Sequence, residues 1–399
     1  MKERQNMEII RIKNLKKDKT RILNIFEGKN INFLLGAGAS MPYLKTLSLG
    51  KEVTYTFEDL YEWSVSEEKD GCTEALAQFY IDHSLKHGTY LRIDESDSQE
   101  ADTVKRNYRC LIENLYKLLC CNSTQKPKRI NLFTTNYDMF FEYTFDQMIP
   151  NYNDIYFNDG SFGVKNKTVT TERFHIMISS VGVDSKFKHE LPIFNLIKLH
   201  GSLNWKTEKE RIIIFDCKEL DEYKCNDIEY IDQAIQNKKT IQEAQNGLEN
   251  YVLFYAEDNG SKNLLNSLTI VQPRKKKFEE TIFQEHYYQG LRILSQELER
   301  PQTVLICFGF SFADEHIRKI VRRSAMNPEL LILIICYGER DEKSFSDFFS
   351  DLQNVILIRN CLNGYSEGFG CAECKMKMKE SDNCPAGDFG FLNSLLEIK

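Results

Sequence analysis

Two short, almost purely apolar runs, Val304 to Phe308 and Leu330 to Ile335, restrict this chain more than any other feature. Runs of that length, rich in β-branched side chains, belong to parallel strands covered on both faces. An amphipathic stretch from about Asp314 to Ala325 separates them, so the three pieces read as a βαβ unit. The same alternation recurs along the chain. Asn32 to Leu35, Ile130 to Thr134, Phe194 to Leu199 and Val355 to Ile358 read as further strands. Residues 104–120 place Val104, Tyr108, Leu111, Leu115 and Leu118 near helical spacing, and 227–247 and 279–299 read as helices, the last stopped by Pro301. The fold class is therefore α/β, a mostly parallel sheet with helices on both faces.

No internal repeat and no Pro/Gly/Ser-rich linker divides the 399 residues. The expected organisation is an N-terminal arm (1–28), one main domain (29–360) and a C-terminal segment (361–399). The main domain carries insertions at about 41–103 and 147–190, which are dense in charge and lack clean periods. They are expected to be helical or irregular, covering a pocket or, with the N-terminal segment, building an oligomer contact.

Composition excludes some classes. No apolar run approaches the roughly 18 residues of a membrane span, and the charged N-terminus lacks a secretory pattern. A soluble, cytoplasmic protein is expected. The net charge of −7 argues against a surface that tracks nucleic acid throughout. Residues 1–22 and Arg274 to Lys277 are locally basic and read first as solvated surface, which leaves direct nucleic-acid binding open. Of the 12 cysteines, Cys307 and Cys336 lie inside apolar runs, as buried free thiols of a reducing compartment do. Cys371 and Cys374 form one Cys-x-x-Cys pair, with Cys361 and Cys384 nearby. A structural zinc would want a second such pair, so free thiols are the preferred reading and no metal is expected.

Four turns at the ends of strands carry the chemistry. Gly36-Ala37-Gly38-Ala39-Ser40 follows the first strand, where glycines allow a close approach to a diphosphate and the start of a helix would favour its charge. Alone, it is equally an unliganded turn. Thr134-Thr135-Asn136-Tyr137-Asp138 closes the next strand. Asn136 can orient ribose hydroxyls or a water and Asp138 can accept from an amide, although both residue types also make turns and caps. Lys198-Leu199-His200-Gly201-Ser202 puts an imidazole at the same sheet edge, able to take a proton from a sugar hydroxyl or water. His87-Gly88 is a second such pair, without a strand before it. Gly309-Phe310-Ser311-Phe312-Ala313-Asp314 is a fourth strand-to-helix turn, in which Ser311 and Asp314 either reach ribose and phosphate oxygens or cap the helix.

In this order the four turns resemble the sirtuin family, over roughly residues 30 to 340. The wording TTNYD, KLHGSLNW and GFSFADEH looks more like the bacterial sirtuin-like antiphage proteins than the protein-deacylating sirtuins. The resemblance implies a Rossmann-like fold, NAD as substrate and cleavage of NAD to nicotinamide and ADP-ribose. It implies Asn136 and His200 as the catalytic pair. Gly36, Ala37, Gly38, Ser40, Thr135, Asp138, Gly309, Phe310, Ser311 and Asp314 would line the NAD site. It further implies a homo-oligomer held in check and a HerA-family DNA-translocating ATPase as partner, in keeping with the lack of a Walker-type loop here. Two departures stand out. Met41 to Lys45 replaces the arginine-bearing stretch of deacylating sirtuins, and only Cys217 and Cys225 stand where their four-cysteine zinc module follows the histidine. Both tell against deacylation and leave NAD cleavage intact. A deacylase or ADP-ribosyltransferase, and a silent NAD or ADP-ribose sensor, remain the alternatives.

Overall fold

A computed structural model of the chain describes residues 7–47, 49–50, 53, 55–121, 128–181, 188–209, 211–225, 227–255, 260–272, 281–362 and 386–398. Eight strands form its main sheet: β1 (Glu8–Ile12), β2 (Asn30–Leu35), β3 (Arg129–Thr134), β4 (Tyr156–Asn158), β5 (Ile193–Lys198), β6 (Thr303–Phe308), β7 (Leu330–Cys336) and β8 (Val355–Asn360). They run in the order β1-β8-β7-β6-β2-β3-β5-β4, and every pairing is parallel. Taken in chain order, the chain winds outward from β2 to β3 and β5 on one side. It then crosses back to β6 and winds outward through β7 and β8 on the other. That doubly wound order is Rossmann-like, and its switch point lies between β2 and β6, where ligands of such sheets bind beyond the carboxyl ends of the strands.

Seven helices matter to the site: α1 (Leu15–Phe26), α2 (Gln99–Cys121), α3 (Phe140–Met148), α4 (Thr281–Leu298), α5 (Glu315–Ser324), α6 (Glu339–Phe349) and α7 (Phe389–Leu396). The period-2 alternation of the strands divides the core. Phe33, Leu35, Leu132 and Ile306 face one way and pack with Phe26 of α1, Leu111 of α2, Phe145 of α3 and Leu392 of α7. Leu34, Phe133, Leu305 and Ile334 face the other way and pack with Leu294 of α4, Val321 of α5 and Phe349 of α6. Coverage on both faces is why β6 and β7 read as unbroken apolar runs.

One polar row crosses this apolar sheet. Asn32, Asn131, Asn195 and Asn158 stand in register on β2, β3, β5 and β4, all buried. Each amide donates to the next: Asn158 to Asn195 at 2.8 Å, Asn195 to Asn131 at 2.9 Å, Asn131 to Asn32 at 2.8 Å. A shift of one residue in any strand would strand these buried amides without partners, so the row fixes the register of the half-sheet that carries Asn136 and His200.

Residues 7–28, expected as part of an arm, lie in the fold: β1 pairs with β8, and α1 packs on α7. The first insertion is helical, with Phe57–Ser66, Asp70–Tyr80 and Tyr90–Glu95. The second, expected as helical or irregular, is built mainly of short strands. Beyond Met148 it holds β4, the short strands Ser161–Phe162, Thr168–Val169, Ser179–Val181 and Lys188–Glu190, and 3-10 turns. Its glycine turns and β-branched Thr168-Val169-Thr170 favour hairpins. Two of these strands join Trp205–Glu208 and Arg211–Ile214 in a small antiparallel sheet directly after the His200 turn. Arg274 to Lys277, Cys371, Cys374 and Cys384 lie outside the described residues.

Candidate functional site at the switch point of the sheet

The four turns all stand at the carboxyl edge of neighbouring strands: Gly36 after β2, Asn136 after β3, His200 after β5 and Gly309 after β6. The glycine loop does not open an α-helix. It makes a single 3-10 turn, Ala37–Ala39, and the next described helix in the chain begins only at Phe57. Ala37 and Gly38 are exposed at the edge.

The glycines have a packing reason as well as the one expected for a diphosphate. Gly36 N–H donates to Phe308 O at 3.1 Å and Gly38 N–H to Gly309 O at 3.0 Å. A Cβ on Gly36 would stand 2.5 Å from Gly309 O, and one on Gly38 would stand 2.7 Å from Gly309 Cα. Gly309 itself has φ +62°, and its Cβ would sit 2.6 Å from Ala39 N. The first and fourth turns therefore interlock backbone to backbone. Gly309→Ala should lower stability by at least about 1 kcal/mol, from the left-handed conformation alone, and should loosen the glycine loop. An unchanged urea unfolding midpoint would show that the contact yields freely.

Ser40 is the hub of the first half of the site. Ser40 is buried with three side-chain partners. Its Oγ donates to Asp138 Oδ2 at 2.7 Å, accepts from Asn136 Nδ2 at 3.1 Å and lies 3.0 Å from the Tyr108 hydroxyl of α2. The Asn136 backbone N–H donates to Thr134 Oγ1 at 3.0 Å, and Thr135 N–H donates to Leu35 O at 3.1 Å. With Nδ2 held by Ser40, Asn136 keeps Oδ1 as an acceptor. Asp138 also accepts from Phe140 N–H at 3.3 Å. Burial pushes its carboxyl above the ordinary value, while the Ser40 hydrogen bond and the Lys198 ammonium pull it back. Burial pushes the Tyr108 phenol well up, which keeps it a neutral donor.

His200 is the hub of the second half. Its Nε2 donates to Asp314 Oδ2 at 3.1 Å. A carboxylate only accepts, so this pairing puts the proton on Nε2 and the lone pair on Nδ1. Asp314 Oδ1 caps α5, accepting from His316 N–H at 2.9 Å and Ile317 N–H at 3.1 Å. The two oxygens of Asp314 thus hold a histidine and a helix start. Ser311 is exposed, and its Oγ accepts from Ala313 N–H at 3.3 Å. Phe310 is buried edge-to-face against Phe312. Phe312 has φ +58°, a costly conformation for a bulky side chain, and is held by the rings of Phe345 and Phe349.

Two residues join the halves, and sequence reasoning gave neither a role. Tyr137 places its ring 6.5 Å from that of His200 and donates to Val271 O at 2.7 Å, while Val271 N–H donates to His200 O at 2.8 Å. Lys198 is buried. Its ammonium donates to Asp138 O at 2.7 Å, Tyr137 O at 3.3 Å and Ser202 Oγ at 2.8 Å, and pairs with Glu142 Oε1 at 2.7 Å. Burial pushes the Glu142 carboxyl up, and Lys198 pulls it down. One cation thereby clamps the Asn136 turn to the His200 turn. The only signals in the sequence were a lysine beside an apolar strand and an acid, Glu142, amid the aromatic residues of the helix Phe140–Met148.

The first insertion reaches the site too. Met139 N–H donates to Gly88 O at 2.9 Å, and a Cβ on Gly88 would stand 3.0 Å from Asp138 Cβ. His87-Gly88 therefore backs the Asn136 turn.

A model of the SIR2-like domain matches residues 130–345, just over half of the chain. The chain belongs to the SIR2-like family. The match takes in the Asn136, His200 and Gly309 turns of this SIR2-like domain, and the glycine loop at 36–40 lies ahead of it. No curated protein matches the chain. Membership carries an NAD-related function and is compatible with an NAD-using enzyme. Among the described residues of the SIR2-like chain, no group of three or more His, Cys, Asp or Glu side chains is arranged to hold a metal ion. Among the same residues, no helix is long and apolar enough to cross a membrane.

Proposed function

We propose that this chain is an NAD glycohydrolase that binds NAD across the β2–β6 switch point and hydrolyses its nicotinamide–ribose bond. What supports this reading is that two held side chains stand beyond the carboxyl ends of neighbouring strands: Asn136 after β3, oriented by Ser40, and His200 after β5, oriented by Asp314. The exposed Ala37 backbone and Ser311 hydroxyl are offered to the diphosphate and ribose, and Gly38 allows their close approach. Thr135, Asp138, Gly309 and Phe310 support those turns.

Bound through its ring nitrogen, nicotinamide is already a cationic leaving group, so it departs with the bonding electrons and needs no proton. The ribose passes through an oxocarbenium-like state. Asn136 Oδ1 orients the ribose or the incoming water. The water oxygen bonds to C1′ and its proton passes to His200 Nδ1, directly or through a ribose hydroxyl. NAD and water become nicotinamide, ADP-ribose and a proton. Asp314 orients the imidazole and stabilises it once charged. Asp138, its oxygens already engaged by Ser40 and Phe140, holds Asn136 in place as much as it could receive the nicotinamide amide.

By the same reading the activity depletes NAD in a bacterial cell under phage attack and is restrained until a HerA-family ATPase partner or an assembly change releases it. The test is NAD consumption by the purified chain, alone and with a HerA-family ATPase added. Nicotinamide and ADP-ribose formed in equal amounts without any acceptor protein are expected. Turnover that requires an acylated or acceptor protein would make it a deacylase or transferase. Tight NAD binding with no turnover in either state would make it a sensor.

A further inference from the structure

A second polar site lies at the other end of the sheet, four strand spacings from β3, on the order of 19 Å away. In register, Arg11 of β1 stands directly opposite Arg359 of β8. Like charges so placed repel. A single carboxylate of α6 answers both: Glu342 Oε1 accepts from Arg11 Nη2 at 2.7 Å, and Glu342 Oε2 lies 3.5 Å from Arg359 Nε. The Arg359 side chain is only 4% exposed, and among the described residues its Nη1 has no hydrogen-bond partner. A buried guanidinium nitrogen without an acceptor is costly, so an acceptor that reached it would be favoured.

Both arginines line a groove of about 360 Å³ together with Glu339, Lys343 and Asp347 of α6. Those three are spaced by single helical turns, so the lysine charge is matched within its own row. The lining is neutral overall, with its positive end at the two arginines, which share the single carboxylate of Glu342. We propose that this groove binds the phosphate group of a small phosphorylated metabolite, with Arg359 Nη1 and Arg11 donating to its oxygens. Guanidinium forks suit phosphate geometry, and a groove of this size suits a ligand as large as a nucleoside monophosphate. Glu339 and Asp347 are placed to accept from hydroxyl groups of such a ligand.

The proposal is independent of NAD cleavage. Inorganic phosphate and, separately, adenosine monophosphate are titrated calorimetrically into the full chain at low ionic strength. Saturable binding of one equivalent of each is expected. Arg11→Gln, at a half-exposed position, should weaken both about tenfold, and Arg359→Met should remove binding. Glu342→Gln should bind phosphate more tightly, because a competing acceptor is gone; a purely structural ion triad predicts no gain. Should Arg359→Met fail to fold, the Arg11 and Glu342 variants still decide. Absence of saturable binding, or unchanged affinity in both Arg11→Gln and Glu342→Gln, would overturn the proposal.

Discussion

Replacing Asn136 or His200 by alanine is expected to lower NAD turnover about a hundredfold or more in each case, the usual worth of a positioned acid–base group. Neither change should unfold the chain, since each removes a side chain at the edge of the sheet and leaves the strand behind it intact. The two should differ in detail. Without Asn136 the ribose and water lose their orientation, so turnover falls at every pH. Without His200 the acceptor for the proton is lost, so the remaining rate should rise with hydroxide concentration. Asp314→Asn should fall between, because the imidazole keeps a neighbour but loses the carboxylate that fixes its tautomer. Rates are read as nicotinamide released under the conditions that activate the wild-type chain. Near-normal turnover in both alanine variants would remove the assigned roles.

Lys198→Met should be the most destabilising single change in the site, by about 3–5 kcal/mol, the typical result of removing one member of a buried ion pair. The methionine fills much of the same volume but leaves Glu142, Asp138 O and Ser202 Oγ without the ammonium they share. Turnover should fall as well, since the clamp between the Asn136 and His200 turns is gone. The sign with pH is fixed. Burial already raises the folded-state Glu142 pKa, and loss of Lys198 raises it further. A carboxyl raised on folding weakens the native state above its unfolded pKa, and the penalty fades as pH falls toward that value. The variant should therefore lose less stability near pH 4 than at pH 7. Adding Glu142→Leu should recover part of the loss at pH 7. Urea unfolding at both pH values measures this, and a wild-type midpoint at pH 7 would rule out the clamp.

Much of this was legible in the chain. The apolar runs at 304–308 and 330–335 became β6 and β7, and the amphipathic stretch between them became α5 within a residue of its expected ends. Strand interiors are set by local alternation and burial, which a sequence displays. The second insertion was less readable, because its strands are only two or three residues long and take their pairing from distant segments. Cap and ligand functions were also inseparable in the sequence: Asp314 caps a helix with one oxygen and holds His200 with the other.

The α/β class, the parallel strands and the four turns can be read from the chain alone, because each depends on residue patterns within a few positions. What those turns are made of inside emerges only when the sheet is assembled. Ser40 meets Asp138, Lys198 meets Glu142, and four asparagines from four strands meet in one row. The physical reason is that a buried polar group must find a partner, and that partner can come from anywhere along the chain. No local pattern encodes which distant residue it will be; the packing of the sheet chooses.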